Sequence, residues 1–219
     1  ASYPPTKGDL AKPIRFYINK CEKNGVKFHL CTEADADTIL AGEPDAVILA
    51  TGSVAVKPGI KGIDNPAFVD ATDILEGKAV AGPKVLVVGG GLVGIETADY
   101  LGDYGRQVDV IDMIPDIGAE VNTMVKITLM PRLAKNNVGL YPNTKVLEFA
   151  EDGAICECNG ETVNYTGYDT VVLAMGREAC NPLEAALKDK VDVCVIGDAV
   201  EPGMVMKATH GAAEVALSL

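Results

Sequence analysis

The chain has 219 residues, 48% of them hydrophobic and 23% charged, with 23 Gly, no Trp and a formal net charge of −12. Its size and apolar content allow a sizeable core in one generous domain or two small ones, and the Gly-rich, aliphatic balance suits α/β layers. An acidic field repels phosphate backbones and anionic membranes, and no apolar run approaches the roughly 20 residues that span a bilayer, so neither nucleic acid nor membrane is an expected partner.

The opening ASYPPTKGDL has neither signal-peptide nor transit-peptide character and does not begin with Met. It is read as a cut within a cytoplasmic protein. Residues 9–24 carry Leu10, Ile14, Tyr17, Ile18 and Cys21 at helical spacing, which predicts an amphipathic helix ending near Asn24-Gly25. VKFHL, residues 26–30, reads as a short strand, and Thr32 or Glu33 opens a weak helix toward Leu40. DAVILATG is a buried strand running into a Gly turn, and 54–65 is a Pro/Gly-rich connector.

From Lys84 the pattern becomes strand, Gly loop, helix, strand. Val85–Val88 is the first strand, and Gly89-Gly90-Gly91-Leu92-Val93-Gly94 fits GxGxxG as it opens a helix over 92–104. Each glycine of that pattern has a physical task. Gly89 permits the tight turn, Gly91 lets backbone approach a pyrophosphate, and Gly94 lets helix and strand pack closely. The helix N-terminus adds free N–H groups and partial positive charge for the phosphates. Asp112 closes the next strand near the expected spacing of about 20 residues, where a carboxylate accepts from the adenosine ribose hydroxyls. A 2′-phosphate there meets like charge, unfavourable by about 4 kcal/mol at ~4 Å and an effective dielectric near 20. The next residues, Met113 to Asp116, offer no Arg or Lys to such a phosphate. NAD(H) is therefore the expected nicotinamide dinucleotide, and NADH is favoured over NADPH.

Residues 121–136 form a further helical stretch, which Pro131 should kink or end. Residues 138–168 alternate short strands with turns such as Asn159-Gly160, an antiparallel meander, and a buried strand follows at 170–174. A helix near 182–188, the strand VDVCVIGD and a closing helix from about Met204 complete the chain. None of the six cysteines makes a Cys-x-x-Cys pair, and Cys156-Glu157-Cys158 is too closely spaced for the usual zinc knuckle. Reduced thiols in or near strands are expected, with a redox or metal role for Cys156 and Cys158 as the alternative. His29 and His210 have no ligand-spaced companions and are read as structural, so no metal-binding residue is assigned.

Ala50-Thr51-Gly52 precedes the central unit; LAMGR and VCVIGDAVEPGMVMKATHGAAEVAL follow it. In this order the motifs resemble the two-dinucleotide flavoproteins, whose NAD(P)-binding domain is inserted into an FAD-binding domain. YPPTKGDL, GVKFHL, EPDAVILATGS, VVGGGLVGIETADYL and NTKVLEF look most similar to the C-terminal half of NADH-dependent flavin oxidoreductases, the enoate reductase and dienoyl-CoA reductase relatives of old yellow enzyme.

The resemblance implies a Rossmann-like NAD(P)-binding domain at 73–176, with parallel sheet and antiparallel meander, inserted in an incomplete FAD-binding α/β domain at 1–72 and 177–219. Asp198, after Gly197, would accept a hydrogen bond from the FAD ribityl chain. The helix from Met204 would aim its N-terminus at the flavin pyrimidine edge. Thr51 and Gly52 would line the crossover beside FAD, and Met113 and Gly176 complete the cofactor-binding set. Glu96 either reaches toward the nicotinamide or only packs, and Arg177 is either a cofactor contact or a surface charge.

The family's first GxGxxG, its FMN-carrying barrel and its iron–sulfur cysteines have no counterpart here. The reading is thus a fragment that binds NADH and part of FAD, and that passes hydride from NADH to FAD and onward to an unsaturated substrate, with no catalytic residue of its own. A module holding a structural ADP-like nucleotide, without electron transfer, is the alternative. A complete disulfide reductase lacks the redox Cys pair it needs. Unpaired strand edges and apolar helix faces, left where the first strand of the FAD domain is missing, are expected to promote self-association.

Overall fold

The computed structural model describes residues 2–219. In chain order its elements are α1 (Ala11–Lys23), α2 (Ala36–Leu40), β1 (Ala46–Leu49), β2 (Ser53–Ala55), β3 (Val69–Asp70), α3 (Ala71–Leu75), β4 (Lys84–Val88), α4 (Leu92–Asp103), β5 (Gln107–Ile111) and α5 (Thr123–Lys135). They continue as β6 (Gly139–Tyr141), β7 (Thr144–Ala150), β8 (Gly153–Cys158), β9 (Glu161–Tyr165), β10 (Thr170–Leu173), β11 (Arg177–Ala179), α6 (Glu184–Leu187), β12 (Asp192–Val195) and α7 (Val205–Ser218). The fold is α/β, with a parallel sheet and antiparallel strands. Among the described residues no helix is long and apolar enough to cross a membrane.

Two compact units divide the chain, one made of the residues up to Lys23 and Lys57–Gly176, the other of Asn24–Val56 and Arg177–Leu219. The first unit is built on a five-stranded parallel sheet in the order β3-β10-β4-β5-β6. Its central strands are apolar on both faces because both faces are covered. Val85, Val87, Val108, Val110 and Val172 face Ile74 of α3, Ile95, Ala98 and Leu101 of α4, and Leu129 and Leu133 of α5. The alternate residues Leu86, Val88, Ile111, Val171 and Leu173 pack on Val146, Phe149, Ala154 and Cys156 of the antiparallel sheet β7-β8-β9. The period of two along β4 thus feeds two separate cores.

Several boundaries differ from those expected. Residues 57–72 group with the central unit, not with its flanks, because β3 pairs with β10 and the Phe149 N–H donates to the Lys61 carbonyl at 2.8 Å. The expected meander loses its first strand to the parallel sheet, where β6 pairs with β5. Pro131 does not end α5, since Leu129 and Leu133 on either side of it are buried and hold both turns on the core. VKFHL is not a strand: Val26, Phe28 and Leu30 are exposed and pair with no ladder, and a strand without a neighbour has no hydrogen bonds to hold it. α1 has the expected amphipathic pattern, yet Ile14, Phe16, Tyr17 and Ile18, and Leu10 just before it, are all exposed. His29 and His210 are exposed too, so neither is a core histidine.

The second unit holds a parallel pair, β1 and β12, and an antiparallel pair, β2 and β11. Asp35 caps α2 by accepting from the Thr38 N–H at 2.8 Å, which moves the helix start beyond the expected Thr32 or Glu33.

Candidate functional site

Within the first unit, β4 delivers the chain into the glycine loop. Gly89 has φ +114, and a Cβ on it would strike the carbonyl oxygen of Ala174. A Cβ on Gly94 would strike the Gly89 carbonyl oxygen, so α4 lies against the end of β4 as closely as backbone allows. Gly91 is different. Its φ is −70, and a Cβ there would find nothing within 4 Å. The space in front of Gly91 is open, as the approach of a phosphate requires. Among the described residues the amides of Gly91, Leu92 and Val93 have no backbone acceptor, and the first intrahelical bond of α4 is Ile95 N–H to Gly91 C=O. Three donors and a helix N-terminus therefore converge on an open surface, an arrangement that suits a pyrophosphate.

Asp112 stands at this loop, directly after β5. One carboxylate oxygen, Oδ2, accepts from the Gly90 N–H, and Oδ1 accepts from the Ile114 N–H at 3.1 Å. Met113 is exposed beside it. Gly176, with φ +101 and open space at its Cβ position, follows β10.

Glu96 lies in the second turn of α4 and is buried, where it accepts an ion pair from Lys7 of the N-terminal segment. One turn further, Asp99 is buried and held by Arg132 of α5. Burial raises the Asp99 carboxyl above the usual carboxylate range, against the opposing pull of Arg132. The two pairs line a small cavity of ≈ 20 Å³ with Pro4, Thr128 and Leu129. Lys7, Asp99 and Arg132 carry no local motif, and the partners Lys7–Glu96 and Arg132–Asp99 lie 89 and 33 residues apart, so sequence spacing could not single them out.

Within the second unit, a groove of ≈ 480 Å³ runs along Gly197, Asp198, Gly203, Met204, Lys207 and His210. Asp198 is fixed from two sides, accepting from the Gly203 N–H at 3.1 Å and from Ser53 Oγ at 3.4 Å. Arg177 Nε in turn donates to Ser53 Oγ at 2.9 Å. Lys207 pairs with Glu201 and holds its carboxyl below the usual range. Thr51 donates to the Cys180 carbonyl, and the Cys180 N–H donates to the Gly52 carbonyl at 3.0 Å, with Gly52 at φ +76. Sequence reasoning missed Ser53, the link between Arg177 and Asp198. Among the described residues all six cysteines are free, and no group of His, Cys, Asp or Glu is placed to hold a metal ion. Burial pushes the Cys156 thiol up to about 11.

The chain is similar to a bilirubin reductase of Mediterraneibacter gnavus, with 37% identity covering 92% of this chain and 31% of that protein. It is similar to an NADH oxidase of Thermoanaerobacter brockii, with 36% identity covering 99% of this chain and 34% of that one. A solved structure of 2-naphthoyl-CoA reductase in complex with 2-naphthoyl-CoA superposes with a TM-score of 0.93 at 33% identity, covering 100% of this chain and 33% of that one. The chain thus spans about a third of the length of these relatives. The family model described as pyridine nucleotide-disulphide oxidoreductase matches residues 11–196, and the chain belongs to that family.

Proposed function

We propose that the first unit binds NADH, preferring it to NADPH, and that the second unit supplies part of an FAD site. On this reading the chain is a portion of a larger flavin-dependent oxidoreductase of the enoate reductase type. The observation that carries it is the glycine loop, where open space at Gly91 and three unpartnered amides meet the Asp112 carboxylate. When bound, NADH would be a hydride donor to FAD, and FMN and an iron–sulfur centre in the larger protein would carry electrons to an unsaturated substrate.

The chain's own residues hold and orient. Gly91, Leu92 and Val93 offer N–H donors to the pyrophosphate, Asp112 and Met113 after β5 border the adenosine side, and Gly176 after β10 lies on the other side of β4. Asp198, held by Ser53 and Gly203, would accept from the FAD ribityl chain, and the α7 N-terminus beyond Met204 would favour negative charge at the flavin pyrimidine edge. Thr51 and Gly52 shape the turn after β1. No residue is assigned a proton-transfer role. Glu96 is engaged by Lys7, which supports packing over a direct contact with the nicotinamide. Support for NADH and for reduction comes from the relatives named as an NADH oxidase and as reductases.

Calorimetric titration of the 219-residue chain with NADH and NADPH tests the reading, and NADH is expected to bind more tightly. Equal affinities would show that Asp112 does not select the ribose. The purified chain is expected to be colourless, because the groove at Asp198 offers no second phosphate loop for the adenine half of FAD. Near-stoichiometric flavin absorbance would contradict that. The exposed apolar residues of α1 and the outer edges of the β1-β12 pair support self-association, which sedimentation would reveal and a monomer would refute.

A further inference from the structure

We infer that Asp112 is a positioning residue that sets the shape of the phosphate loop before any ligand arrives, in addition to facing the ribose. The inference rests on the reading of this loop as a dinucleotide site. A carboxylate whose sole task was to meet ribose hydroxyls would keep its oxygens toward solvent in the ligand-free chain. Here both oxygens accept backbone amides, from Gly90 on the phosphate loop and from Ile114 on the loop after β5.

Asp112 can serve as an anchor because its own backbone is held at both ends. Its N–H donates to the Tyr141 carbonyl at 3.1 Å, and its carbonyl accepts from the Thr144 N–H at 2.7 Å. The parallel strand β6 and the first strand of the antiparallel sheet thus fix the residue, and the residue fixes Gly90.

A second bond completes the clamp. The Gly118 N–H donates to the Gly90 carbonyl at 2.9 Å, and a Cβ on Gly90 would meet Ile117 at 3.0 Å and Asp112 at 3.2 Å. In a planar trans peptide the N–H points opposite to the C=O. With the Gly90 carbonyl drawn to Gly118, the Gly91 N–H must point away from that loop. Asp112 holds the preceding peptide by its N–H. Two consecutive peptides are therefore oriented by bonds that no ligand has to make, and the donors of Gly91, Leu92 and Val93 are prearranged for an anion.

This assignment changes what loss of Asp112 should do. If Asp112 acted through charge and ribose contact alone, Asp112→Ala and Asp112→Asn would both relieve repulsion of a 2′-phosphate, and neither would change amide exchange at Gly90 in the nucleotide-free chain. If Asp112 is also the anchor, the two variants separate. Asn keeps a carbonyl oxygen for the Gly90 N–H, whereas Ala keeps none.

The experiment measures amide exchange at Gly90 in the nucleotide-free 219-residue chain, with Val87 in β4 as the control for folding, and then titrates each variant with NADH and NADPH. Expected for Asp112→Ala is exchange at Gly90 faster by about tenfold or more, the scale of one lost hydrogen bond to a charged group, with Val87 unchanged. Both dinucleotides should bind at least about tenfold more weakly to Asp112→Ala than to Asp112→Asn. Unchanged exchange at Gly90, or equal NADPH affinity in the two variants, overturns the inference. If the parent binds neither dinucleotide, the proposed function fails, while exchange at Gly90 still decides whether Asp112 holds the loop.

Discussion

Replacing Arg132 by Leu tests whether α4, the helix that presents the phosphate-binding amides, depends on a charge pair at its back. Arg132 Nε donates to both oxygens of Asp99 at 2.9 and 3.1 Å, and its Nη2 stands 3.4 Å from Asp103 Oδ1. The Asp99 side chain is 2% exposed, and that of Arg132 is 30% exposed. Leu at 132 leaves a carboxylate buried without its cation. Removing one partner of a fully buried pair costs about 3–5 kcal/mol, against ~0–1 for an exposed one. Arg132 lies between these limits, so the expected loss is about 2–3 kcal/mol, or a fall of about 1 M in the urea midpoint.

The sign of the pH dependence follows from the Asp99 carboxyl, which burial already raises and which rises further without Arg132. A carboxyl raised in the folded state binds more protons folded than unfolded, so stability falls as pH climbs from the unfolded value through the folded one. The deficit of Arg132→Leu relative to the parent should therefore be largest near neutral pH and shrink as pH falls toward the ordinary carboxylate range, as Asp99 takes up a proton. Urea unfolding followed at the amides of α4 reads both quantities. A deficit below about 0.5 kcal/mol, or one that does not shrink as pH falls from neutral into the carboxylate range, refutes this account.

Gly91→Val should cost no more than about 1 kcal/mol of stability, the scale of a poorer N-cap, since its Cβ meets open space, yet abolish binding of both dinucleotides in the calorimeter. Gly94→Ala should do the reverse first, destabilising the first unit by about 1–3 kcal/mol or more, because the added methyl collides with the Gly89 carbonyl; a thermal melt matching the parent would contradict it. Cys156 should be the slowest of the six thiols to react with an aromatic disulfide reagent, and exposed Cys31 among the fastest. Peptide mass mapping after brief labelling checks the order, and early modification of Cys156 would disprove it.

Much of the central unit could be read locally. The strand–loop–helix at 84–103 follows from contiguous residues whose backbone demands are met within a few positions, as at Gly89 and Gly94, and Asp112 follows from the length of one helix and one strand. The three-residue β6 could not be assigned to its sheet from its own residues, because what decides between parallel sheet and meander is its pairing with β5. VKFHL shows the converse: alternating apolar residues suit a strand, but the ladder has to come from elsewhere in space, and here none does.

The sequence by itself determined the α/β class, the glycine loop and its acidic companion, since each is encoded by short-range spacing. Tertiary structure alone decided that Lys7 neutralises Glu96, that Arg132 holds Asp99, that Ser53 links Arg177 to Asp198, and that Asp112 spends both oxygens on backbone. The physical reason is the same in each case. A buried or part-buried polar group must find a partner, and the partner is chosen by which segments the packed core brings within hydrogen-bond reach, a distance that no local pattern of residues records.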